Sequence, residues 1–356
     1  IGIVRHGNPG STINVKSQFI NTAGLRMHYL QQGSGSESAG QPVVLIHGFP
    51  ETSYSWRHQL EALSARHAVF APDNRGFGQT DKPGARVTRS MLARDIIDFM
   101  DTLGLEDAAI VGHDWGGIIA FKVAIDYPER VSHLALLDTL CTVWHPGGIH
   151  GYWFKAAPYP EEFFARYHRQ FIETVIGMGT PELPGPPQSP WVGMGGRAPW
   201  ASADDFEHYA AAFADPASHW HAISYYRDAL PFHIVHDDPG ARHGERYEYL
   251  DPSRVAEMWT HPDGMDKHPL YPNYLDYGPE DRHKQFSKPA LWMMSAMGVG
   301  RDGDEANTTL PTGNPFVEQF PRYLPNLQVQ PIRGGHFFPE ENPADTNARL
   351  MAFLAD

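Results

Sequence analysis

The chain has one cysteine, Cys141, in 356 residues, so it has no internal disulfide framework. Its stability must come from a hydrophobic core, and a reducing compartment suits such a chain. A cytoplasmic location is therefore favoured, although the first residue is Ile1, and secretion after removal of a leader stays open. No apolar run reaches the roughly 18 residues a membrane span needs. Basic residues are scarce: 28 Lys and Arg stand against 42 Asp and Glu, a formal charge of -14. That balance argues against a nucleic-acid partner. There is no internal repeat, and the 31 prolines and 34 glycines are spread along ordered loops. The chain does have apolar bulk. At 41% hydrophobic and 12% aromatic residues it can build one large catalytic domain with a substantial insertion.

The first part of the chain alternates strand-like and helix-like segments. Phe19–Gln32 alternates like a hairpin, and Gly33–Gly40 is a polar turn. Val43–Ile46 and Ala68–Pro72 are short and apolar throughout, as buried parallel strands are. Glu51–Ala65 reads as a helix, and Met91–Leu103 is amphipathic, with Leu92, Ile96, Ile97, Met100 and Leu103 on one face. Ala108–Val111 and Leu134–Leu137 are further strands. This alternation predicts an α/β fold with a mostly parallel, doubly wound sheet. From about Thr139 to Lys288 the rhythm breaks, with helix-like stretches at Glu161–Ile176 and Ala203–Leu230 and an irregular part at 233–285. Ala290–Met294 and Leu327–Pro331 restore buried strands, and Thr346–Leu354 closes with a helix. The predicted organisation is a catalytic domain of residues 1–138 and 289–356, interrupted by a mainly helical cap at 139–288. Insertions after the carboxyl ends of strands sit over the crevice where ligands bind.

Residues 109–117 read Ala-Ile-Val-Gly-His-Asp114-Trp115-Gly-Gly, and a helix-like stretch follows from Ile118 to Tyr127. This is the strand–turn–helix of a nucleophile elbow, with Gly-x-Asp-x-Gly in place of Gly-x-Ser-x-Gly. A carboxylate there attacks saturated carbon and forms an alkyl ester that water must then hydrolyse. Hydrolysis needs a base. His336, in Arg333-Gly-Gly-His-Phe-Phe-Pro339 after the last strand, fits the chain order of the triad. An acid must orient the imidazole. The slot after Ala290–Met294 offers Ala296 and Met297, so Asp138, at the end of the preceding strand, is favoured over Asp302 or Asp304. His47-Gly-Phe-Pro50 follows the first central strand, where the fold supplies one oxyanion-hole N–H. The two donors would be Phe49 and Trp115. The short Ile3-Val-Arg-His-Gly7 match to histidine phosphatases has nothing downstream to complete it. The histidines at 208, 219, 221, 233, 236 and 243 lack metal-ligand spacing.

Taken together, His47–Arg57, Asp73-Asn-Arg-Gly-Phe-Gly78, Gly112–Gly117 and Gly335–Glu340 resemble the α/β-hydrolase branch of epoxide hydrolases, haloalkane dehalogenases and fluoroacetate dehalogenases. The epoxide hydrolase resemblance implies two cap tyrosines that hydrogen-bond the epoxide oxygen. Tyr226, in Ser224-Tyr-Tyr-Arg227, matches that family's Tyr-Arg motif; Tyr152 is the choice for the second, with Tyr159 and Tyr209 behind it. The fluoroacetate dehalogenase resemblance implies a His-Trp-Tyr halide cluster, which His150, Trp153 and Tyr226 could imitate. That family's carboxylate-clamping arginines after the nucleophile are missing, since Trp115 and Ile118 occupy those positions. Haloalkane dehalogenases usually have Asn where this chain has Phe49.

The favoured expectation is a hydrolase that opens an epoxide to a vicinal diol through a covalent aspartyl ester, with no metal or other cofactor and a small, apolar substrate. The alternative is a hydrolytic dehalogenase with the same Asp114, His336 and Asp138. A non-catalytic binder is a third reading, against which the intact Asp–His–acid set argues. A homodimer is left open.

Overall fold

The computed structural model describes residues 2–4, 15–33, 40–144, 148–176, 200–237, 245–272, 275–295 and 315–355. Its strands are β1 (Gly2–Val4), β2 (Val15–Asn21), β3 (Arg26–Gln32), β4 (Gly40–Ile46), β5 (His67–Pro72), β6 (Ala108–His113), β7 (Val131–Leu137), β8 (Val143–Trp144), β9 (His233–Asp237), β10 (Glu245–Tyr249), β11 (Leu275–Asp276), β12 (Ala290–Ser295) and β13 (Leu327–Ile332). Its α-helices are α1 (Arg57–Leu63), α2 (Arg89–Leu103), α3 (Trp115–Asp126), α4 (Ile149–Lys155), α5 (Tyr159–Ile176), α6 (Ala203–Ala212), α7 (Pro216–Arg227), α8 (Pro252–Trp259), α9 (Pro315–Tyr323), α10 (Phe338–Glu341) and α11 (Pro343–Phe353).

Nine strands form one sheet in the order β1-β2-β3-β5-β4-β6-β7-β12-β13. Pairing is antiparallel from β1 to β5 and parallel from β5 to β13. The parallel strands are apolar on both sides because both faces of the sheet are covered. In β4, Val44 and Ile46 join the core that includes Leu92 and Ile96 of α2 and Ile118 and Phe121 of α3. Val43 and Leu45 point the other way, to Leu60 of α1 and Leu350 and Phe353 of α11. Each fully buried side chain of this size contributes roughly 1.5–3 kcal/mol. This is the α/β-hydrolase arrangement, a doubly wound and mostly parallel sheet.

Boundaries differ from the sequence reading where local chemistry decides them. The expected helix 51–65 begins as a 3-10 turn at Ser53–Trp56 and becomes α-helical at Arg57. The expected 203–230 stretch is two helices. Phe213 ends α6, and the Asp215 side chain accepts from Ala217 N–H to start α7 with Pro216 in its first turn. The irregular part at 233–285 contains a β9–β10 hairpin, α8 and β11, and a second, antiparallel sheet runs β10-β9-β11-β8. Its short strands carry little periodic signal.

Helices α4, α5 and α7 pack with one another. Hydroxyl donors tie this layer to the sheet: Tyr225 Oη donates to Arg75 O (2.9 Å), Tyr209 Oη to Glu340 (2.8 Å) and Tyr54 Oη to Asp205 (2.6 Å). Lys155, at the end of α4, is buried. Its Nζ donates to the carbonyls of Tyr226 (2.6 Å), Leu230 (2.5 Å) and Arg227 (3.3 Å), which caps the carboxyl end of α7. Burial pulls the Lys155 pKa down to about 7.

The turn from β6 into α3 has no room for side chains. A Cβ on Gly116 would lie 1.9 Å from Ile46 O, and one on Gly112 would lie 2.1 Å from Gly116 O. Gly116→Ala is expected to destabilise the fold by about 1–3 kcal/mol or more, because backbone, not a side-chain tip, would have to move. Urea unfolding of the two proteins checks this; equal midpoints would refute it.

Candidate active site

Asp114 sits at the tip of that turn with φ 50° and ψ -119°. A non-glycine residue in this region is strained, and such strain persists where the surroundings hold it. Here Asp114 N–H donates to Leu137 O (3.1 Å), and Thr139 Oγ1 donates to Asp114 O (2.5 Å). The side chain is thereby presented at the carboxyl end of the sheet, under the helices. Phe49 N–H donates to Asp114 Oδ1 at 2.7 Å, and His336 Nε2 lies 3.4 Å from Oδ2. Trp115 is the first residue of α3, so its N–H has no acceptor within the helix.

His336 meets Asp138 through its other nitrogen: Nδ1 to Asp138 Oδ2 is 2.7 Å. The second Asp138 oxygen accepts from Ser295 N–H at 3.0 Å. Asp138 also has positive φ, 43°, at the end of β7. Asp302 and Asp304 lie outside the described residues. Burial alone would lower the His336 pKa. Hydrogen bonds to Asp114 and Asp138, with their charges, outweigh burial and hold it well above 6.5. Burial raises both carboxylates, but the His336 hydrogen bond and charge outweigh it and hold each below its ordinary value.

Tyr226 lies across from this group. It is stacked on Phe154 (centroids 4.0 Å apart), edge-on to Trp115 (5.1 Å) and Phe49 (5.9 Å), and 5.7 Å from the His150 ring. Burial, reinforced by the Asp114 charge, holds its phenol protonated well above pH 10. Burial lowers the His150 pKa to about 4, so its ring is neutral near pH 7. His150 and Phe154 are four residues apart on α4 and share a face.

Tyr152 is not on that face, which corrects the expectation that it partners Tyr226. It is buried against Phe232 (5.6 Å) and Tyr271 (6.0 Å), and its hydroxyl has no hydrogen-bond partner among the described residues. A helix turns about 100° per residue, so the side that carries His150 and Phe154 excludes Tyr152. Trp153 packs on Phe154, Phe163 and Phe164. Tyr209 is committed to Glu340. Tyr159 opens α5.

The other histidines serve local packing. His208 stacks on Tyr54, the His219 ring bonds Phe213 O (2.8 Å), and His236 pairs with Glu248 (2.9 Å). His243 lies outside the described residues, as do Arg5, His6 and Gly7. Among the described residues no group of three His, Cys, Asp or Glu side chains could hold a metal, and no helix is long and apolar enough to cross a membrane. The sequence reading missed the buried pair of Glu51 and His113, although both lie inside the motifs that carried it. Nothing in spacing alone joins residues 62 positions apart.

Residues 41–182 match the model of the alpha/beta hydrolase fold family. Two curated relatives fall in one branch of it. The chain is 32% identical over 223 residues to Epoxide hydrolase 4 of Mus musculus, covering 59% of this chain and 58% of that protein. It is 33% identical over 230 residues to Epoxide hydrolase 3 of Siraitia grosvenorii, covering 58% of this chain and 71% of that protein. In three dimensions it is similar to an epoxide hydrolase from an endophytic Streptomyces, with a TM-score of 0.66 and 23% identity over 96% of this chain and 95% of that one. The chain belongs to the epoxide hydrolase-like family of α/β-hydrolases. It spans 58% of the length of the mouse relative.

In Asp138→Asn one of the two charges that raise the His336 pKa is gone, so this histidine should titrate at lower pH than in the parent. NMR titration of the His336 ring, assigned by its loss in His336→Gln, checks the sign. An unchanged midpoint would show that Asp138 does not set the charge of His336.

Proposed function

We propose that this protein hydrolyses epoxides to vicinal diols through a covalent ester at Asp114. The observation that carries the reading is the carboxylate at the elbow, held between the Phe49 N–H and His336 with Tyr226 across from it. Asp114 Oδ2 attacks a ring carbon, the carbon–oxygen bond breaks, and the oxygen leaves as an alkoxide on the same molecule. Tyr226 gives that oxygen its proton, and neutral His150 beside it is a second hydrogen-bond donor. His150 takes the place that two-tyrosine enzymes of the branch give to their second phenol. Trp153 supports this face through Phe154.

The ester has no negative charge at Asp114. His336 then loses one of the two carboxylates that keep it charged, its pKa falls, and its proton is released towards the tyrosinate. The neutral imidazole takes a proton from water as the water attacks Asp114 Cγ. The oxyanion forms on Oδ1, beside the N–H groups of Phe49 and Trp115. The adduct collapses by breaking the Cγ–Oδ2 bond; the departing diol oxygen takes the proton of His336, and His336 recovers the proton of the new Asp114 carboxyl, which restores the starting charges. Asp138 keeps Nδ1 protonated and Nε2 free to act. No cofactor is needed for these steps.

Residues 139–288 act as a cap over the catalytic domain of residues 1–138 and 289–356. The rings of Phe154, Phe171, Phe213 and Tyr226 around Phe49 suit an apolar substrate.

His336→Gln should form the ester without releasing it. The variant is incubated with a panel of aryl epoxides and, separately, with haloalkanes and haloacids, and peptide masses are taken. An Asp114 adduct equal to the whole epoxide supports the proposal. An adduct equal to substrate less hydrogen halide would make the protein a dehalogenase, and no adduct from any panel would leave the substrate open and strengthen the reading as a binder. In the same assay Tyr226→Phe is expected to slow ester formation by about 10²-fold or more; an unchanged rate would remove Tyr226 from the mechanism.

A further inference from the structure

Lys155 is the last residue of α4 and is 2% exposed, yet among the described residues no carboxylate forms an ion pair with it. The Asp228 carboxylate favours its ammonium from a distance while accepting from Ser224 Oγ (2.6 Å). The Arg227 guanidinium opposes it, His233 feels its charge, and the Phe232 ring centroid lies 4.3 Å from Nζ. A buried cation without a paired anion opposes folding. What Nζ meets directly is three carbonyl oxygens, those of Tyr226, Arg227 and Leu230. An ammonium has three hydrogens to give them. A neutral amine has two and a lone pair, and the lone pair would face an oxygen. The arrangement therefore requires the charged form.

One of those carbonyls belongs to Tyr226 itself. The last carbonyls of a helix have no partner within it, so this one depends on a group from outside α7. The grip is mutual. Arg227 Nη2 donates to Phe154 O (3.1 Å), and the Phe154 ring lies parallel to that of Tyr226, 4.0 Å away. Phe154-Lys155 and Tyr226-Arg227 thus clasp one another through two cations and one ring stack. The stack fixes the plane of the phenol; the bond to the Tyr226 carbonyl fixes how far the residue reaches towards Asp114. We propose that Lys155 is a positioning residue for ring opening: its ammonium anchors the main chain of Tyr226 to α4 and so sets the phenol opposite Asp114. Ring opening then requires the charged lysine, whereas the attack of water on the ester does not. Burial pulls the Lys155 pKa down to about 7, so the anchor is released as pH rises through neutrality. The unfolded chain keeps this proton up to about pH 10.4. Between those values the unfolded state binds more protons, so this group's contribution to stability rises with pH while the anchor is lost. A lysine that served stability alone would not move the two in opposite directions.

The proposal rests on Tyr226 being the acid of the mechanism above, and the test reads the anchor and the reaction separately. In protein carrying ¹³C at lysine Cε, the Lys155 signal, assigned by its loss in Lys155→Met, should titrate near pH 7. The Tyr226 ring signals, assigned by their loss in Tyr226→Phe, should shift with the same midpoint. That shift should be absent in Lys155→Arg, which stays charged. In single turnovers with an aryl epoxide at pH 6, Lys155→Met should slow ester formation about tenfold or more and leave ester hydrolysis within about threefold. The intact protein should lose its advantage in ester formation by pH 9, while Lys155→Arg keeps part of it. If Lys155→Met does not fold, Lys155→Arg supplies both the assignment and the comparison of pH profiles. A Tyr226 ring that does not respond at the Lys155 midpoint would overturn the proposal, as would equal slowing of both steps in Lys155→Met. If no epoxide forms an ester, the function assigned above fails, and the ring signals still decide whether Lys155 holds Tyr226.

Discussion

The close approach of the β6–α3 turn to the end of β4 is the constraint on which the site depends. Gly116 touches the carbonyl of Ile46 where no Cβ fits, which brings Asp114 next to the His47–Pro50 loop. Phe49 N–H can then reach Asp114, and Glu51 on the same loop can reach His113. Larger residues at Gly112 or Gly116 would separate Asp114 from the Phe49 N–H even if every charged residue stayed. The left-handed backbone of Asp114 is held by the contact and by bonds to β7 and Thr139.

Around this turn three carboxylates each bond a histidine ring and at least one backbone N–H. Asp138 has His336 and Ser295 N–H; Glu51 has His113 and Gly48 N–H; Asp73, further along, has His28 and the N–H groups of Ser53 and Gln79. Unpaired, such groups would take up protons instead of remaining charged. Pairing lets three carboxylates lie at the carboxyl edge of one sheet in a form that accepts hydrogen bonds. His336 lies between Asp138 and Asp114, and the charge of each raises its hold on a proton.

The sheet was legible because its strands are short and apolar throughout, and because the glycines of the elbow can be read one by one. Asp114, His336, Phe49 and Trp115 followed from chain order in a known turn. Asp138, chosen because no acid stands near 296, lies at the end of β7 with Oδ2 2.7 Å from His336 Nδ1. The helices over the site were less legible. Tyr152 and His150 are two residues apart on one helix, and a phase error of that size exchanges the face towards Tyr226 for the one packed on Phe232 and Tyr271. Aromatic residues there are used for both purposes, so composition could not separate them. The contact between His113 and the main chain of His336 spans 223 positions and has no periodic signal.

The Lys155 cap has a consequence for selectivity. The Lys155 Nζ at the end of α4 bonds the last two carbonyls of α7 and that of Leu230 just beyond it, which joins the two helices. His150 belongs to the first helix and Tyr226 to the second. If both act as the donors proposed above, their separation serves as a gauge set by the joined helices, and a pocket widened without changing it would draw on the loops or on movement of both helices together. Ligands would be sorted by where they carry a single oxygen relative to that gauge, with overall size a secondary matter.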